Sequence, residues 1–287
     1  MKPAATPPAG TALIGMFDSG VGGLSVLRAI AGHIPGQPVL FVADQAHVPY
    51  GTQSLETVRH YSEEITRYLL RCGAGLIVVA CNTASAAALH HLRQVFPQVP
   101  FVGMEPAVKP AAEQTRSGVV GVLATPATFQ GALYASVVER FARDVKVLQH
   151  TCPGLVEEIE AGRLQGERTR AILEEALGPM LAQGIDTVVL GCTHYPFVIP
   201  LIQEIVGPGV RVIDPAPAVA RQAKRLLARV DRAGTAPGRT ILMTTGQGEP
   251  FRRTILTLLA WDWDVPVEQI AWGQDLGRHV GDADPGR

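Results

Sequence analysis

Short apolar runs alternate along the chain with stretches whose apolar residues recur three and four positions apart. Apolar runs occur at Ala12–Phe17, Val39–Ala43 and Leu76–Ala80, the last of them rich in β-branched residues, and the segment Leu55–Cys72 has helical spacing. Buried strands of parallel sheets produce runs of this length, and helices produce the spacing found between them. The alternation therefore predicts an α/β fold with mostly parallel sheets.

The second half of the chain continues this alternation. Residues 118–124 and 187–190 predict strands, a single helix is predicted from about Ala127 to Phe141, and Val210–Ile213 predicts another strand. A last strand is expected at Ile241–Thr244, followed by one helix. At 287 residues the chain is long for one core, so we expect two domains.

Two of the runs end in the same way, with a thiol followed by small polar residues. The runs that end at Ala80 and Gly191 lead into Cys81-Asn82-Thr83 and Cys192-Thr193-His194. Ligands and catalytic groups gather at the carboxyl ends of parallel strands. We therefore expect two halves of the molecule to bring Cys81 and Cys192 face to face.

Composition narrows the class of protein. A formal charge of −1 argues against nucleic acid or an anionic membrane as the main partner, and no apolar run approaches the ~20 residues of a membrane helix. Four cysteines in a chain of this length do not make a disulfide framework, and residues 1–11 lack the apolar core of a signal peptide. We expect a cytoplasmic protein.

A glycine-rich turn offers an alternative function. Gly20-Val21-Gly22-Gly23 follows the first strand and Asp44 follows the second, which imitates part of a dinucleotide fingerprint. Ser25 stands where the third glycine belongs, and Asp18-Ser19 come before the turn. An NAD-dependent oxidoreductase is therefore a second hypothesis, although a tight strand-to-helix turn explains the glycines more simply.

The four cysteines differ in their surroundings. Cys72 lies on the apolar face of a predicted helix and is expected in the core, and Cys152 precedes a proline in a loop with no reactive neighbour. The residues around Cys81 and Cys192 lack the closely spaced ligand pair that is typical of zinc sites, so we predict no metal. Nucleophilic catalysis needs one thiol and a base, and it leaves the second thiol unexplained.

Two equivalent thiols suit a reaction that is symmetric in its substrate, such as racemisation. Many amino-acid racemases use pyridoxal phosphate on a lysine, but none of the four lysines ends a strand in a phosphate-binding motif: Lys2, Lys109, Lys146 and Lys224. We therefore predict no cofactor. Asp18 and His194 are the best-placed groups to assist the thiols. Asn82, Thr83 and Thr193 suit ligand binding but are also preferred as helix caps.

At these residues the sequence resembles the glutamate racemases, cofactor-independent members of the aspartate/glutamate racemase superfamily. The matching motifs are Asp18-Ser19-Gly20-Val21-Gly22-Gly23-Leu24, Pro49-Tyr50-Gly51, Cys81-Asn82-Thr83-Ala84-Ser85 and Gly191-Cys192-Thr193-His194-Tyr195-Pro196, with weaker matches at Cys152-Pro153 and Thr244-Thr245-Gly246. The resemblance implies two pseudo-symmetric α/β domains, each a mostly parallel sheet flanked by helices, with glutamate bound between them.

The resemblance also implies roles for individual residues. Cys81 would deprotonate D-glutamate and Cys192 would deprotonate L-glutamate, while Asp18, Glu160 and His194 would assist proton transfer. The implied substrate-binding residues are Asp18, Ser19, Tyr50, Gly51, Asn82, Thr83, Thr193 and His194.

Domain limits and biological role follow from the same resemblance. It implies a discontinuous first domain at residues 1–105 plus 209–287 and a second domain at 106–208. It further implies a homodimer and a product, D-glutamate, that is used for bacterial peptidoglycan. A related racemase acting on another amino acid such as aspartate, and a non-catalytic amino-acid-binding module, stay open as alternatives.

Overall fold

The structure is a computed structural model that describes residues 12–230, 239–259 and 266–276. The Pro/Ala-rich start and most of the polar carboxy-terminal tail lie outside the described residues. The strands formed by the described residues are β1 Leu13–Asp18, β2 Val39–Ala43, β3 Ala74–Val79, β4 Phe101–Gly103, β5 Val119–Ala124, β6 Lys146–His150, β7 Thr187–Gly191, β8 Arg211–Ile213, β9 Ile241–Thr244 and β10 Val267–Gln269.

Helices connect nearly all successive strands. They are α1 Leu24–His33, α2 Leu55–Arg71, α3 Asn82–Val95, α4 Val108–Gln114, α5 Pro126–Gln130, α6 Ala132–Phe141, α7 Leu155–Glu160, α8 Glu167–Leu181, α9 Ile199–Val206, α10 Ala216–Leu227 and α11 Gly248–Leu259. Among the described parts of the chain, no helix is both long enough and apolar enough to cross a membrane.

The strands form two sheets, and every pair of neighbouring strands is parallel. The first sheet has the order β10-β9-β2-β1-β3-β4, and the second has the order β6-β5-β7-β8. Elements from β1 to β4 and from α10 onward surround the first sheet and are called the first half. Elements from α4 to β8 surround the second sheet and are called the second half. The predicted fold class is confirmed.

The second sheet repeats the order of four neighbouring strands at one end of the first sheet. The order β2-β1-β3-β4 corresponds position by position to β6-β5-β7-β8, so the two strands that lead into Cys81 and Cys192 are equivalent. In the first sheet β3 pairs with β1, and in the second sheet β7 pairs with β5. The preceding strand, β2 or β6, lies on the other side of β1 or β5, so the strand order reverses direction at this point. Such switch points are where parallel sheets open a crevice for ligands.

Apolar runs form strands here because both faces of the first sheet are covered. Along β1, Ile14 and Met16 pack into one hydrophobic cluster, whereas Leu13 and Phe17 pack into another on the opposite face. Successive side chains of a strand point to opposite faces, so a strand that is buried on both needs an unbroken apolar run. All six residues of β1 are buried.

Several local predictions are wrong. The single helix predicted over 127–141 is two helices, because Gly131 is extended (φ −69°, ψ 135°) and a Cβ there would lie 2.6 Å from Ala86 Cβ. Helix α4 and strand β10 were not predicted. Cys72 is exposed rather than in the core, since α2 ends at Arg71 and Cys72 is its C-cap.

Strand β8 also changes where the chain returns to the first half. The resemblance implied a return at residue 209, but β8 pairs with β7 through Thr187 and Arg211 and extends the second sheet. Helix α10 then packs against α1. By sheet pairing, the return therefore comes after Ile213.

Candidate active site

One pocket between the two halves collects most of the residues predicted from sequence. Cys81 and Cys192, which follow the equivalent strands β3 and β7, both line it. The other predicted residues that line it are Ser19, Tyr50, Gly51, Asn82, Thr83, Thr193 and His194. Asp18 and Glu160 stand behind this lining and contact it through Thr193 and His194. The free volume of the pocket is about 10 Å³, which is room for about one water molecule.

Cys81 is held by backbone at the start of a helix. It is the N-cap of α3, and its Sγ accepts a hydrogen bond from the Ala84 N–H at 3.4 Å. Its Sγ also lies 3.9 Å from Ser19 Oγ. The alternative in which Asn82, Thr83 or Thr193 caps a helix is therefore wrong for α3. Burial, followed by the negative charge of Asp18, raises the pKa of the Cys81 thiol well above its usual range.

Cys192 is held by side chains instead. Its Sγ lies 3.7 Å from His194 Nδ1, and His194 Nε2 lies 2.6 Å from Glu160 Oε1. Burial alone would lower the pKa of His194, but hydrogen bonds and charge from Cys192 and Glu160 outweigh it and raise that pKa well above its usual value. His194 therefore lies between a thiol and a carboxyl group and contacts both.

The Glu160 carboxyl is the charged partner of this imidazole. Its side chain is only 14% exposed, and that burial acts to raise its pKa. Hydrogen bonds and charge from His194, together with donors from Val21 and Gln45, outweigh burial and hold the pKa of Glu160 below its usual value. Cys192, His194 and Glu160 thus form a continuous chain of acid–base groups.

Asp18 joins the two halves beneath the pocket. Its Oδ1 accepts hydrogen bonds from Ser19 Oγ at 3.0 Å and from the Gly20 N–H at 3.2 Å, while its Oδ2 accepts one from Thr193 Oγ1 at 2.7 Å. Complete burial raises the pKa of Asp18, against the opposing effect of His194 and these donors. Asp18 therefore fixes two pocket hydroxyls, one from each half.

Asn82 presents an unsatisfied amide to the pocket. Its side chain is 2% exposed, and within the described residues neither Nδ2 nor Oδ1 has a hydrogen-bond partner. Leaving a buried polar group unpaired costs about 1–3 kcal/mol, so such groups mark places where a ligand completes the hydrogen bonding. Asn82 offers that ligand both a donor and an acceptor.

The Tyr50-Gly51 turn forms another wall. Tyr50 is buried, and its hydroxyl donates to Asp44 Oδ2 at 2.6 Å. Burial, followed by the charge of Asp44, raises the pKa of Tyr50 well above its usual value. A Cβ at Gly51 would lie 2.7 Å from Thr125 Cβ, so the turn approaches the second half more closely than a side chain permits.

Close packing between halves also explains the glycine-rich turn. A Cβ at Gly20 would lie 2.0 Å from Glu160 Oε1, and a Cβ at Gly22 would lie 2.5 Å from His194 Nδ1. These glycines leave room for the side chains of Glu160 and His194 from the other half. The Asp44 carboxylate, on which the dinucleotide hypothesis also depended, already contacts four groups: His47 Nδ1, Tyr50 OH, Thr245 Oγ1 and Trp272 Nε1. This geometry disfavours dinucleotide binding.

Comparison with known proteins agrees with the geometry. A family model for Asp/Glu/hydantoin racemases matches residues 24–223. The chain belongs to this racemase family. It is 58% identical over 217 residues to the glutamate racemase of Pseudomonas paraeruginosa, covering 76% of this chain and 82% of the relative. It is 49% identical over 255 residues to the glutamate racemase of Stutzerimonas stutzeri, covering 89% of this chain and 96% of the relative.

A solved structure extends the likeness to the fold. Escherichia coli glutamate racemase, in complex with L-glutamate and the activator UDP-MurNAc-ala, matches this racemase with a TM-score of 0.81 at 32% identity. The match covers 91% of this chain and 98% of that one.

Three residues that line the pocket of this racemase were not predicted: Pro49, Thr125 and Val156. Thr125 follows β5, the strand equivalent to β1, so it occupies in the second half the place that Ser19 has in the first. Its Oγ1 lies 2.8 Å from Thr83 Oγ1 and 2.9 Å from Thr128 Oγ1. Extending the repeat of the cysteine strands to the first strand of each half would have found it.

Proposed function

We propose that this chain interconverts L- and D-glutamate by a two-base reaction without a cofactor. The observation that carries the proposal is that Cys81 and Cys192 end equivalent strands of two repeated sheets and line one pocket. For L-glutamate, the Cys192 thiolate takes the α-proton and the C–H electron pair stays on Cα as a carbanion. The Cys81 thiol then donates its proton to the opposite face, which gives D-glutamate.

The electrostatics of the pocket support this assignment. The raised pKa of Cys81 keeps that group as a thiol, ready to donate. Cys192 Sγ lies 3.7 Å from His194 Nδ1, so the imidazole is close enough to assist proton transfer at that thiol. One turnover from L-glutamate leaves Cys192 protonated and Cys81 deprotonated, which is the arrangement that the reverse reaction from D-glutamate requires.

Polar groups around the thiols suit a substrate with two carboxylates and an ammonium group. The unpaired amide of Asn82, the hydroxyls of Ser19, Thr83 and Thr193, and the Tyr50-Gly51 turn are proposed to bind glutamate. Asp18 and His194 are proposed to contribute both to binding and to proton transfer. We favour glutamate over aspartate because the relatives that match most of the chain are glutamate racemases.

A single assay separates the candidate functions. L-Glutamate is incubated with the protein in deuterated buffer without added cofactor, and optical rotation and Cα deuteration are followed together. We expect rotation to decay to zero while deuterium enters Cα. A binding module would leave the α-proton unexchanged, an NAD-dependent enzyme would show saturable NAD binding, and an aspartate racemase would act faster on L-aspartate in a parallel reaction.

The wider setting is part of the proposal. We place the domain limits at residues 1–105 plus 214–287 and at 106–213, moving the implied limit because of the pairing of β8. We also propose a cytoplasmic homodimer that supplies D-glutamate for peptidoglycan. Rescue of a bacterial strain that requires D-glutamate tests the role, and light scattering after gel filtration tests the dimer.

A further inference from the structure

Glu160 of the second half is held mainly by donors of the first half. Its Oε1 lies 2.6 Å from His194 Nε2 and accepts a hydrogen bond from the Val21 N–H at 2.8 Å. Its Oε2 accepts a hydrogen bond from Gln45 Nε2 at 3.1 Å. Two of these three donors therefore come across the interface between the halves.

The Gln45 side chain is aimed at Glu160 by its own partners. Gln45 follows Asp44 at the end of β2, and its Oε1 accepts a hydrogen bond from Thr244 Oγ1 at 2.9 Å. The Gly246 N–H donates to Thr244 Oγ1, which leaves the threonine hydroxyl proton for Gln45. The amide oxygen of Gln45 is thus committed to Thr244, so its NH₂ group faces Glu160.

Gln45 does not line the pocket, so it acts on the reaction only through Glu160. A carboxylate that hydrogen-bonds the outer nitrogen of a histidine fixes the orientation of the ring and stabilises its charged form. Without Gln45, Glu160 Oε2 loses its hydrogen-bond donor, and the carboxylate is then held through Oε1 by Val21 and His194. With one of its two oxygens unheld, the carboxylate is less firmly oriented toward His194. The effect would reach Cys192 directly, because its Sγ lies next to His194 Nδ1. The hydrogen-bond partners described for Cys81 are Ser19 and Ala84, and they do not include Gln45, Glu160 or His194.

We propose that Gln45 is a positioning residue that holds Glu160 against His194 across the interface. Gln45 thereby supports proton transfer by Cys192 and not proton transfer by Cys81. This inference rests on the proposed racemisation. Because the first half supplies both Gln45 and the Val21 N–H, the acid–base chain of Cys192 is complete only when the two halves are in contact.

The test uses Gln45→Met, which keeps the length of the side chain and removes the donor. The matched control is Gln37→Met, because Gln37 is also partly buried but donates to the backbone oxygens of Ala12 and Pro38. The enantiomers of glutamate have equal free energy, so kcat/KM must fall equally for both. We expect a fall of about tenfold for Gln45→Met, as for the loss of one hydrogen bond to a charged group, and no change for Gln37→Met.

Deuterium at Cα shows which thiol is affected. In Gln45→Met the isotope effect on kcat/KM should increase for L-[2-²H]glutamate, whose deuteron goes to Cys192, and decrease for D-[2-²H]glutamate, whose deuteron goes to Cys81. Equal changes for both enantiomers, or none, would overturn the inference. If the protein without substitutions did not racemise glutamate, that result would instead refute the proposed function.

A second variant, Gln45→Glu, guards against a folding defect. At neutral pH it places a second carboxylate against Glu160, and on acidification its protonated form regains a donor. We expect its activity relative to the unmodified protein to rise as the pH falls. A constant ratio across pH, with melting temperatures that match those of Gln37→Met, would contradict a role through Glu160.

Discussion

The two thiols occupy equivalent strand ends but are supported by different chemistry. Cys81 caps α3 and relies on a backbone N–H, with the carboxylate of Asp18 as the main charge acting on it. Cys192 precedes a short 3-10 turn rather than an α-helix and relies on the His194–Glu160 pair. The difference shows that a repeated fold can give two equivalent strand ends unlike hydrogen-bond partners.

The largest effect on racemisation is expected from removing either thiol. We expect Cys81→Ser and Cys192→Ser each to lower kcat for racemisation about a thousandfold or more, as for the loss of a general acid or base. The remaining thiol can still remove the α-proton of one enantiomer and return a deuteron to the same face. In deuterated buffer, Cys192→Ser should therefore exchange the α-hydrogen of D-glutamate without inversion, and Cys81→Ser should do so with L-glutamate. Full racemisation by either variant would refute the two-base mechanism.

A smaller effect is expected from filling the space that Gly22 leaves for His194. In Gly22→Ala the new Cβ would meet His194 Nδ1 at 2.5 Å, so the imidazole must shift away from Cys192. We expect kcat/KM to fall about tenfold and stability to fall by about 1–3 kcal/mol from overpacking. Gly32→Ala is the control, since nothing lies within 4 Å of a Cβ at that helical position. It should stabilise the protein by about 0.5–1 kcal/mol and leave kcat/KM unchanged.

The smallest effect concerns the pH dependence of stability. The pKa of Glu160 is lowered from 4.5, so its contribution is present above that value and is lost as the pH falls through the lowered pKa. The pKa of His194 is raised from 6.5, so its contribution is present below that value and is lost as the pH rises through the raised pKa.

The Glu160–His194 pair should therefore stabilise the protein most between those two pH values. We expect Glu160→Gln to reduce the free energy of unfolding by about 2 kcal/mol near pH 5.5, and by less at pH 3 and pH 9. Urea denaturation at the three pH values checks this. A loss that is the same at every pH would show that Glu160 contributes packing rather than charge.

The apolar runs were sufficient to predict the parallel sheets, because a strand buried on both faces must be apolar at nearly every position. They could not predict the break at Gly131, where the chain passes too close to Ala86 of α3 for a side chain to fit. Cys72 was wrongly predicted to be buried, because helical spacing indicates the buried face only for residues inside the helix. Helix α2 ends at Arg71, one residue before Cys72. Local signals fail where a long-range contact or a helix end decides the structure.

The same distinction applies to the candidate site. Residues within the strand-end motifs, such as Asn82 and Thr193, could be predicted because their motifs are specific. Thr125 and Gln45 carry no motif, and their importance comes from what the other half brings within hydrogen-bond distance. A sequence shows which strand ends are polar, but it does not show which of them face each other.

The hydroxyl groups of Thr83, Thr125 and Thr128 meet where the halves touch beside the pocket. A hydroxyl both donates and accepts, and it rotates to suit its neighbour. If the halves separate, water can therefore replace each of these contacts one for one, and no charged group is left without a partner. Separation along these hydroxyls would cost little, which suits a pocket that in this structure has room for about one water molecule and not for glutamate.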